Sequence, residues 1–250
     1  MKMQTLATAI GLVCLTATAA SALDLVALTD RNELLRFSSD APGKTTMIAV
    51  LGTSAPLLGI DVRPADAKLY GLAADGSIYR IDMIGGIAEK VAMLSVALES
   101  GQGALVDFNP QADRMRVIGP SGQDLRVNVD TGQAAVDGRI AYLAGDANAG
   151  KKPTILAGAY INSVPGAKQT QLFEFDSAQG TYVIQDPPND GTLSTIAAAN
   201  LPAGTSVDAV DIHTDKGMQN YTGFAIAAGR LWEFSVTNGK LREIGPVAAG

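Results

Sequence analysis

The sequence predicts an all-β fold of propeller type, with about five four-stranded blades. Two observations lead to this prediction: short stretches that alternate apolar and polar residues, and a strand-rich unit that recurs every roughly 40–50 residues. The composition, with 27 glycines and 18% charged residues, suits many short strands joined by tight turns. Six blades, or an open array of five units, remain as alternatives, because the pattern does not show how a ring would close.

The first recurring pattern, called the hook here, consists of two apolar residues around one variable residue, then Asp or Ser, then glycine a few residues later. Its alternation predicts a strand with one buried face. The Asp or Ser can accept hydrogen bonds from the turn that follows, and the glycine can adopt a positive φ. The five copies are Leu35–Ser38, Tyr79–Asp82, Val127–Asp130, Phe173–Asp176 and Trp232–Ser235.

A second pattern opens several of the units. It occurs at Leu58–Pro64, Leu105–Pro110 and Ala209–His213, and it predicts the innermost strand of a blade. The first unit, which starts near Leu25, lacks this strand. The long interval before the last hook is attributed to loops that extend the fourth and fifth units. These loops are residues 145–153, 163–169, 185–193 and 214–221.

Four segments together resemble the bacterial domain-of-unknown-function family 4394. They are LLGIDVRPADAKLYGLAADGSIYRID, VDFNPQADRMRVIGPSGQDLRVNVDTG, GDANAG and IQDPPNDGTL, and they occur in this order. The resemblance covers residues 25–247. It implies an exported protein with a propeller-like repeat fold, and it brings no established activity, ligand or catalytic residue.

The N-terminal residues Met1 to Ala22 are predicted to be a signal peptide. Lys2 precedes an apolar stretch centred on Ala9 to Leu15, and Ala20-Ser21-Ala22 forms an A-x-A cleavage site. The apolar stretch is too short to span a membrane, which takes roughly 20 residues. Residues 23–250 are therefore expected to form one domain, secreted or periplasmic. Lipidation at Cys14 is a less favoured alternative.

Charge and residue usage exclude several function classes. A formal net charge of −6 disfavours binding to nucleic acid or to an anionic membrane. Cys14 is the only cysteine, so the cleaved chain would have no thiol chemistry. No haem, nucleotide or flavin signature is present. His213 is the only histidine, which excludes a multi-histidine metal site.

The candidate site residues lie in the predicted inner strands. The acids Asp61, Asp107 and Asp211 occupy matching positions, and each is followed two residues later by a polar residue on the same face of the strand. Converging carboxylates could bind Ca²⁺ or act as acid and base in glycoside cleavage. The favoured interpretation is structural: each acid fastens one blade to the next through backbone hydrogen bonds. The residues that follow are Arg63, Asn109 and His213.

Four loop residues have side chains that suit calcium, namely Asp146, Asn148, Asn189 and Asp190. None has EF-hand spacing, so turn-forming hydrogen bonds are the favoured explanation. Aromatic residues are sparse, and Trp232 sits at an apolar hook position, which predicts a core residue rather than a ligand contact.

These observations favour an exported, non-catalytic propeller whose partner is unknown: another protein, an envelope component or a small ligand. The alternative is a hydrolase or metal-dependent enzyme that uses the axial carboxylates, for which Ca²⁺ is the cofactor that the oxygen ligands suit. A purely structural surface role is the third interpretation. No nucleic acid and no membrane span are expected.

Overall fold

The computed structural model describes residues 9–15, 22–99, 103–215 and 220–248. These residues form five antiparallel sheets, which are the blades of a propeller. Blade 1 consists of β1 (Ala9–Leu15), β2 (Asp24–Thr29), β3 (Glu33–Ser38) and β4 (Ala41–Ala49). Blade 2 consists of β5 (Leu57–Arg63), β6 (Lys68–Ala73), β7 (Ser77–Ile81) and β8 (Ala88–Met93).

The remaining three blades follow in chain order. Blade 3 consists of β9 (Leu105–Asn109), β10 (Arg114–Ile118), β11 (Asp124–Val127) and β12 (Ala134–Val136). Blade 4 consists of β14 (Ile155–Tyr160), β15 (Leu172–Asp176), β16 (Thr181–Gln185) and β17 (Thr192–Ala198), with β13 (Ala141–Tyr142) added parallel to β17. Blade 5 consists of β18 (Ala209–Thr214), β19 (Tyr221–Ala227), β20 (Arg230–Phe234) and β21 (Leu241–Pro246). The described residues also contain one short 3₁₀ helix, Pro188–Asp190, and no helix that is long and apolar enough to cross a membrane.

The ring is closed with five blades. The inner strands contact one another in the order β1, β5, β9, β14 and β18, and β18 returns to β1. Five clusters of buried apolar residues fill the five junctions between neighbouring blades. The prediction of about five blades is therefore confirmed, and the six-bladed and open alternatives are excluded.

The inner strand of blade 1 comes from a segment that the sequence assigned to the signal peptide. Strand β1 pairs antiparallel with β2, from Leu15 opposite Asp24 to Ala9 opposite Thr29. The first unit thus has the inner strand that the repeat pattern did not show. Cleavage after Ala22 stays a prediction, and a chain cut there would lack β1.

Position within the blade determines which faces of a strand are buried. The second strands β2 and β6 are buried at every residue after the first, because both of their faces pack against neighbouring blades. The outer strand β4 is mostly exposed or partly buried, and Pro42 is its one buried residue. Alternating polarity is consequently a weak signal for second strands.

The structure places the third and fourth hooks differently from the prediction. In blades 2 to 5, the turn after the third strand contains one recurring backbone hydrogen bond. In blade 2 it runs from Asp82 N–H to Ile87 O, and in the next three blades its donors are Asn128, Asp186 and Ser235. The third hook is therefore predicted two residues late. The fourth, Phe173–Asp176, lies on β15, the second strand of its blade. Any strand that enters a hairpin can produce the hook pattern, so the pattern does not distinguish a second strand from a third. With the equivalent positions at Asn128 and Asp186, the long interval falls between blades 3 and 4.

Candidate functional site at the ring axis

The three axial acids are buried, and their carboxylates accept backbone hydrogen bonds. Asp61 accepts the N–H of Phe108 in blade 3 at 2.6 Å. Asp107 accepts the N–H of Tyr160 in blade 4 at 3.1 Å. Asp211 accepts the N–H of Cys14 in blade 1. Each acid thus binds the backbone of the following blade, as the favoured interpretation of the sequence predicted.

Two blades lack an acid at the matching position and carry Val13 and Ala159 there. In the blades that follow these two, the equivalent N–H groups donate hydrogen bonds to the acid of the same blade. Val62 N–H donates to Asp61 Oδ1 at 2.6 Å, and Ile212 N–H donates to Asp211 Oδ1 at 2.7 Å. Three carboxylates therefore satisfy five equivalent backbone donors around the ring, which explains why these buried acids are tolerated.

Burial raises the pKa of all three axial acids. Desolvation raises the pKa of Asp61 and of Asp107 well above the usual range, and the neighbouring axial acids raise both further. Burial also raises the pKa of Asp211 to about 6, although the N–H groups of Cys14 and Ile212 oppose this shift. The three carboxyl groups are thus close enough to influence one another across the axis.

One small cavity lies between the inner strands of the five blades, and its lining does not include the three acids. The cavity between the inner strands has a volume of about 20 Å³, which is room for about one water molecule. Glycine and alanine residues contribute much of its lining, including Gly11, Gly59, Gly158, Ala157 and Ala209. In the described residues, no group of three or more His, Cys, Asp or Glu side chains is arranged to hold a metal ion.

The polar residues predicted beside the acids have separate surroundings. Arg63 forms a two-pronged ion pair with Asp113, with N–O distances of 2.8 and 2.6 Å, and it also binds Asp130. Asn109 accepts the backbone N–H groups of the turn that follows β9. His213 is half-buried, and burial lowers its pKa. The three acids are neighbours at the axis, whereas Arg63 and Asn109 each bind partners of their own.

The loop residues also serve local structure. Asp146 accepts the N–H of Asn148 at 2.8 Å and the N–H of Thr195 at 2.7 Å, which ties its loop to β17. Asp190 N–H donates to Pro187 O within the turn around the 3₁₀ helix. Trp232 packs at the edge of an apolar cluster between blades 4 and 5. These contacts are turn and packing interactions.

A buried polar cluster lies between blades 3 and 4, and the sequence did not predict it. Arg116 is 1% exposed. Its guanidinium donates to Asp124 at 2.7 Å, to Asp137 at 2.6 Å, to Tyr160 Oη at 3.1 Å and to Asn189 Oδ1 at 3.0 Å. One arginine thus links both blades and the loop that carries Asn189.

Glu174 lies at the same junction, with 0% exposure, and neither of its carboxylate oxygens has a hydrogen-bond partner among the described residues. Burial raises its pKa well above the usual range, and the charge of Asp124 adds to this while Arg116 opposes it. Gln185 Oε1 is also buried without a partner, although its amide nitrogen donates to Asp124 at 2.8 Å. The sequence does contain an indication of this cluster. Arg116 and Glu174 are the charged residues in the interior of the described second strands, whose residues are otherwise mostly apolar.

Residues 33–250 match the family described as Domain of unknown function (DUF4394). The chain belongs to the DUF4394 family. This confirms the resemblance stated from the four sequence segments. A search of curated proteins found no match.

Solved structures show the same fold for this DUF4394 protein at low sequence identity. A protein of unknown function from Bacteroides thetaiotaomicron is 13% identical with a TM-score of 0.55, and the match covers 97% of this chain and 58% of that chain. A protein whose name proposes a gluconolactonase is 14% identical with a TM-score of 0.56, covering 97% and 78%. This DUF4394 chain thus spans less than two thirds of the first protein.

Proposed function

We propose that the protein is an exported, non-catalytic propeller that binds another protein, an envelope component or a small ligand. The observation that carries this proposal is the bonding of Asp61, Asp107 and Asp211 to the backbone of the neighbouring blades. Carboxylates used in this way hold the ring together. The cavity of about 20 Å³ between the inner strands is far smaller than the roughly 300–1,000 Å³ of typical small-molecule sites, so a small ligand would have to bind elsewhere on the protein.

The outer surface offers an apolar patch formed by Leu51, Ile84 and Ile87, each more than half exposed. Leu51 and Ile87 are partners in a short parallel bridge that joins the outer parts of blades 1 and 2, so their side chains are neighbours. Ile84 lies in the turn that this bridge adjoins. Adjacent exposed apolar residues are typical of protein–protein contacts.

The binding function is tested by capture from an envelope extract with the purified exported protein, followed by crosslinking and mass spectrometry. We expect partners that are lost in the Leu51→Asp/Ile87→Asp variant and retained in a variant with Val136→Asp, an exposed apolar residue on the outer strand of blade 3. Turnover in a substrate screen, together with an absence of crosslinked partners, would contradict the proposal.

The alternative, a hydrolase or metal-dependent enzyme, has one observation in its favour. The raised pKa values of the three axial acids resemble those of catalytic acids and bases. The Asp61→Asn/Asp107→Asn/Asp211→Asn variant separates the two proposals. A folded variant that has lost turnover or bound metal supports the enzyme, whereas weakened folding without any change in turnover or metal content supports the fastening role.

A further inference from the structure

We propose that the innermost position of blade 1 is a slot for an extended apolar peptide of a partner protein. In the uncleaved chain β1 fills this slot, and after cleavage at Ala22 a partner segment takes its place by pairing with the edge of β2. This inference rests on the proposed binding function and on the proposed export, and it names the kind of partner: a flexible apolar tail or loop with a small residue near its middle.

The structure shows what such an occupant needs, because β1 is already seated there. The side chains of β1 alternate between the two neighbouring junctions. Leu12 and Cys14 join the apolar cluster shared with blade 5, whereas Val13 and Leu15 join the cluster shared with blade 2. Leu12 and Val13 are both buried. A short extended segment with this alternation fills the slot.

Close contacts define the size limit at one position. A Cβ atom added to Gly11 would lie 3.0 Å from Ile60 Cγ1, 3.3 Å from Ile60 N and 3.4 Å from Leu28 Cβ. A Cβ at this position asks Ile60 to shift by a few tenths of an ångström, and a larger side chain asks for more. The slot therefore favours a small residue at this position.

Polar groups of the slot also lack partners without the inner strand. Pairing with β1 uses the N–H and C=O groups of alternate residues of β2 between Asp24 and Thr29, since those of the other residues face β3. Asp211 in blade 5 accepts the N–H of Cys14, so removal of β1 leaves this buried carboxylate with one donor fewer. An exposed strand edge with an adjacent backbone-binding acid is a suitable site for strand addition.

The test uses two forms of the protein: the uncleaved chain made without export, and the product recovered after export, with both N-termini read by mass spectrometry. The probe is a fluorescein-labelled peptide of residues 8–16 with Cys14→Ser, and binding is followed by fluorescence anisotropy. We expect one peptide to bind per cleaved protein and at least tenfold weaker binding to the uncleaved form. The same peptide with Gly11→Leu is expected to bind at least tenfold less tightly.

Two protein variants provide a matched pair. Asp211→Ala removes the acceptor for the peptide N–H and is expected to weaken binding about tenfold. Asp107→Ala removes the equivalent fastener between blades 3 and 4, outside the slot, and should leave peptide affinity unchanged. Equal losses in both variants would indicate general loosening of the ring and would overturn the proposal.

Three further results would overturn it: export without cleavage, a folded cleaved protein that binds no peptide, or equal affinity for the peptides with and without the Gly11→Leu substitution. If the cleaved protein is unfolded, recovery of cooperative unfolding on adding the peptide supports the slot, and failure to recover contradicts it. Capture of partners through Leu51 and Ile87 is measured separately. The proposed binding function can therefore be supported even when the results contradict the slot.

Discussion

At the scale of single residues, the buried charges of this DUF4394 protein differ in how well they are satisfied. The axial acids accept backbone N–H groups, and Arg116 has four side-chain partners. Within the part of the chain that the structure describes, the carboxylate of Glu174 has no hydrogen-bond partner. Because a buried polar group without a partner costs free energy, Glu174 is the residue whose removal the fold should tolerate best.

Glu174→Met is expected to raise the free energy of unfolding by about 1–3 kcal/mol, because Met keeps the stem that packs on Gly158 and removes the unpaired carboxyl group. Urea unfolding of both proteins measures the change. Glu174→Gln is the control that keeps a polar group in place and should not stabilise. A loss of stability in Glu174→Met would show that the carboxyl group has a partner in solution.

Asp211 should make stability depend on pH. Its pKa is about 6 in the folded protein and about 3.9 in an unfolded chain, so the folded state holds a proton that the unfolded state has lost. Its contribution to stability is fully present below pH ~4 and is lost as the pH rises through 6, an effect of about 3 kcal/mol.

Asp211→Asn removes this titration. The difference between the unfolding free energies of the two proteins, measured from pH 4 to pH 7, should change by about 2 kcal/mol, which is most of that amount. Other acids titrate in both proteins, so the difference between the two curves is the informative quantity. Parallel curves would contradict the raised pKa.

At the scale of strands and turns, three of the hook glycines contact a neighbouring blade. A Cβ on Gly132 would lie 1.9 Å from Met93 O, and one on Gly86 would lie 2.1 Å from Ala49 O. Gly239 lies against the ring of Tyr182. Gly180, which follows the displaced fourth hook, has no atom within 4 Å of a Cβ position. In blade 4 the close approach is made by Gly191, against Gly138 O.

Gly132→Ala is therefore expected to lower the free energy of unfolding by about 3 kcal/mol or more, since a positive φ and a backbone collision act together. The matched control is Gly180→Ala, which has the positive φ without the collision and should cost about 1–2 kcal/mol. Thermal unfolding of the two variants provides the comparison. Equal losses would mean that the turn conformation alone requires glycine.

At the scale of the whole molecule, closure of the ring depends on β1, which contacts both β18 and β5. Gly11→Leu in the uncleaved chain is expected to lower the free energy of unfolding by about 1–3 kcal/mol, because the strand has no room beside Ile60. Gly119→Leu is the control, since a Cβ there has no atom within 4 Å and the φ is not positive. Identical stability of the two variants would place residues 9–15 outside the ring.

Much of this architecture was predictable because third strands such as β3 and β7 place a polar residue between two apolar residues. The inner-strand acids were also placed correctly as fasteners between blades. The polar cluster around Arg116 was not, because its members come from β10, β11, β14, β15, β16 and distant loops that only the closed ring brings together. The alternation around Glu174 predicted a strand with one buried face and Glu174 on its polar side. A second strand that is buried on both faces can have the same order of apolar and polar residues.

The carboxylate bonds at the axis also predict an order in which the ring opens. They join blade 5 to blade 1, blade 2 to blade 3 and blade 3 to blade 4, whereas Val62 and Ile212 bond to acids of their own blades. The ring is consequently two linked arcs, with seams between blades 1 and 2 and between blades 4 and 5. In native-state hydrogen exchange, the amide protons of Val62 and Ile212 should be replaced by deuterium before those of Phe108 and Tyr160.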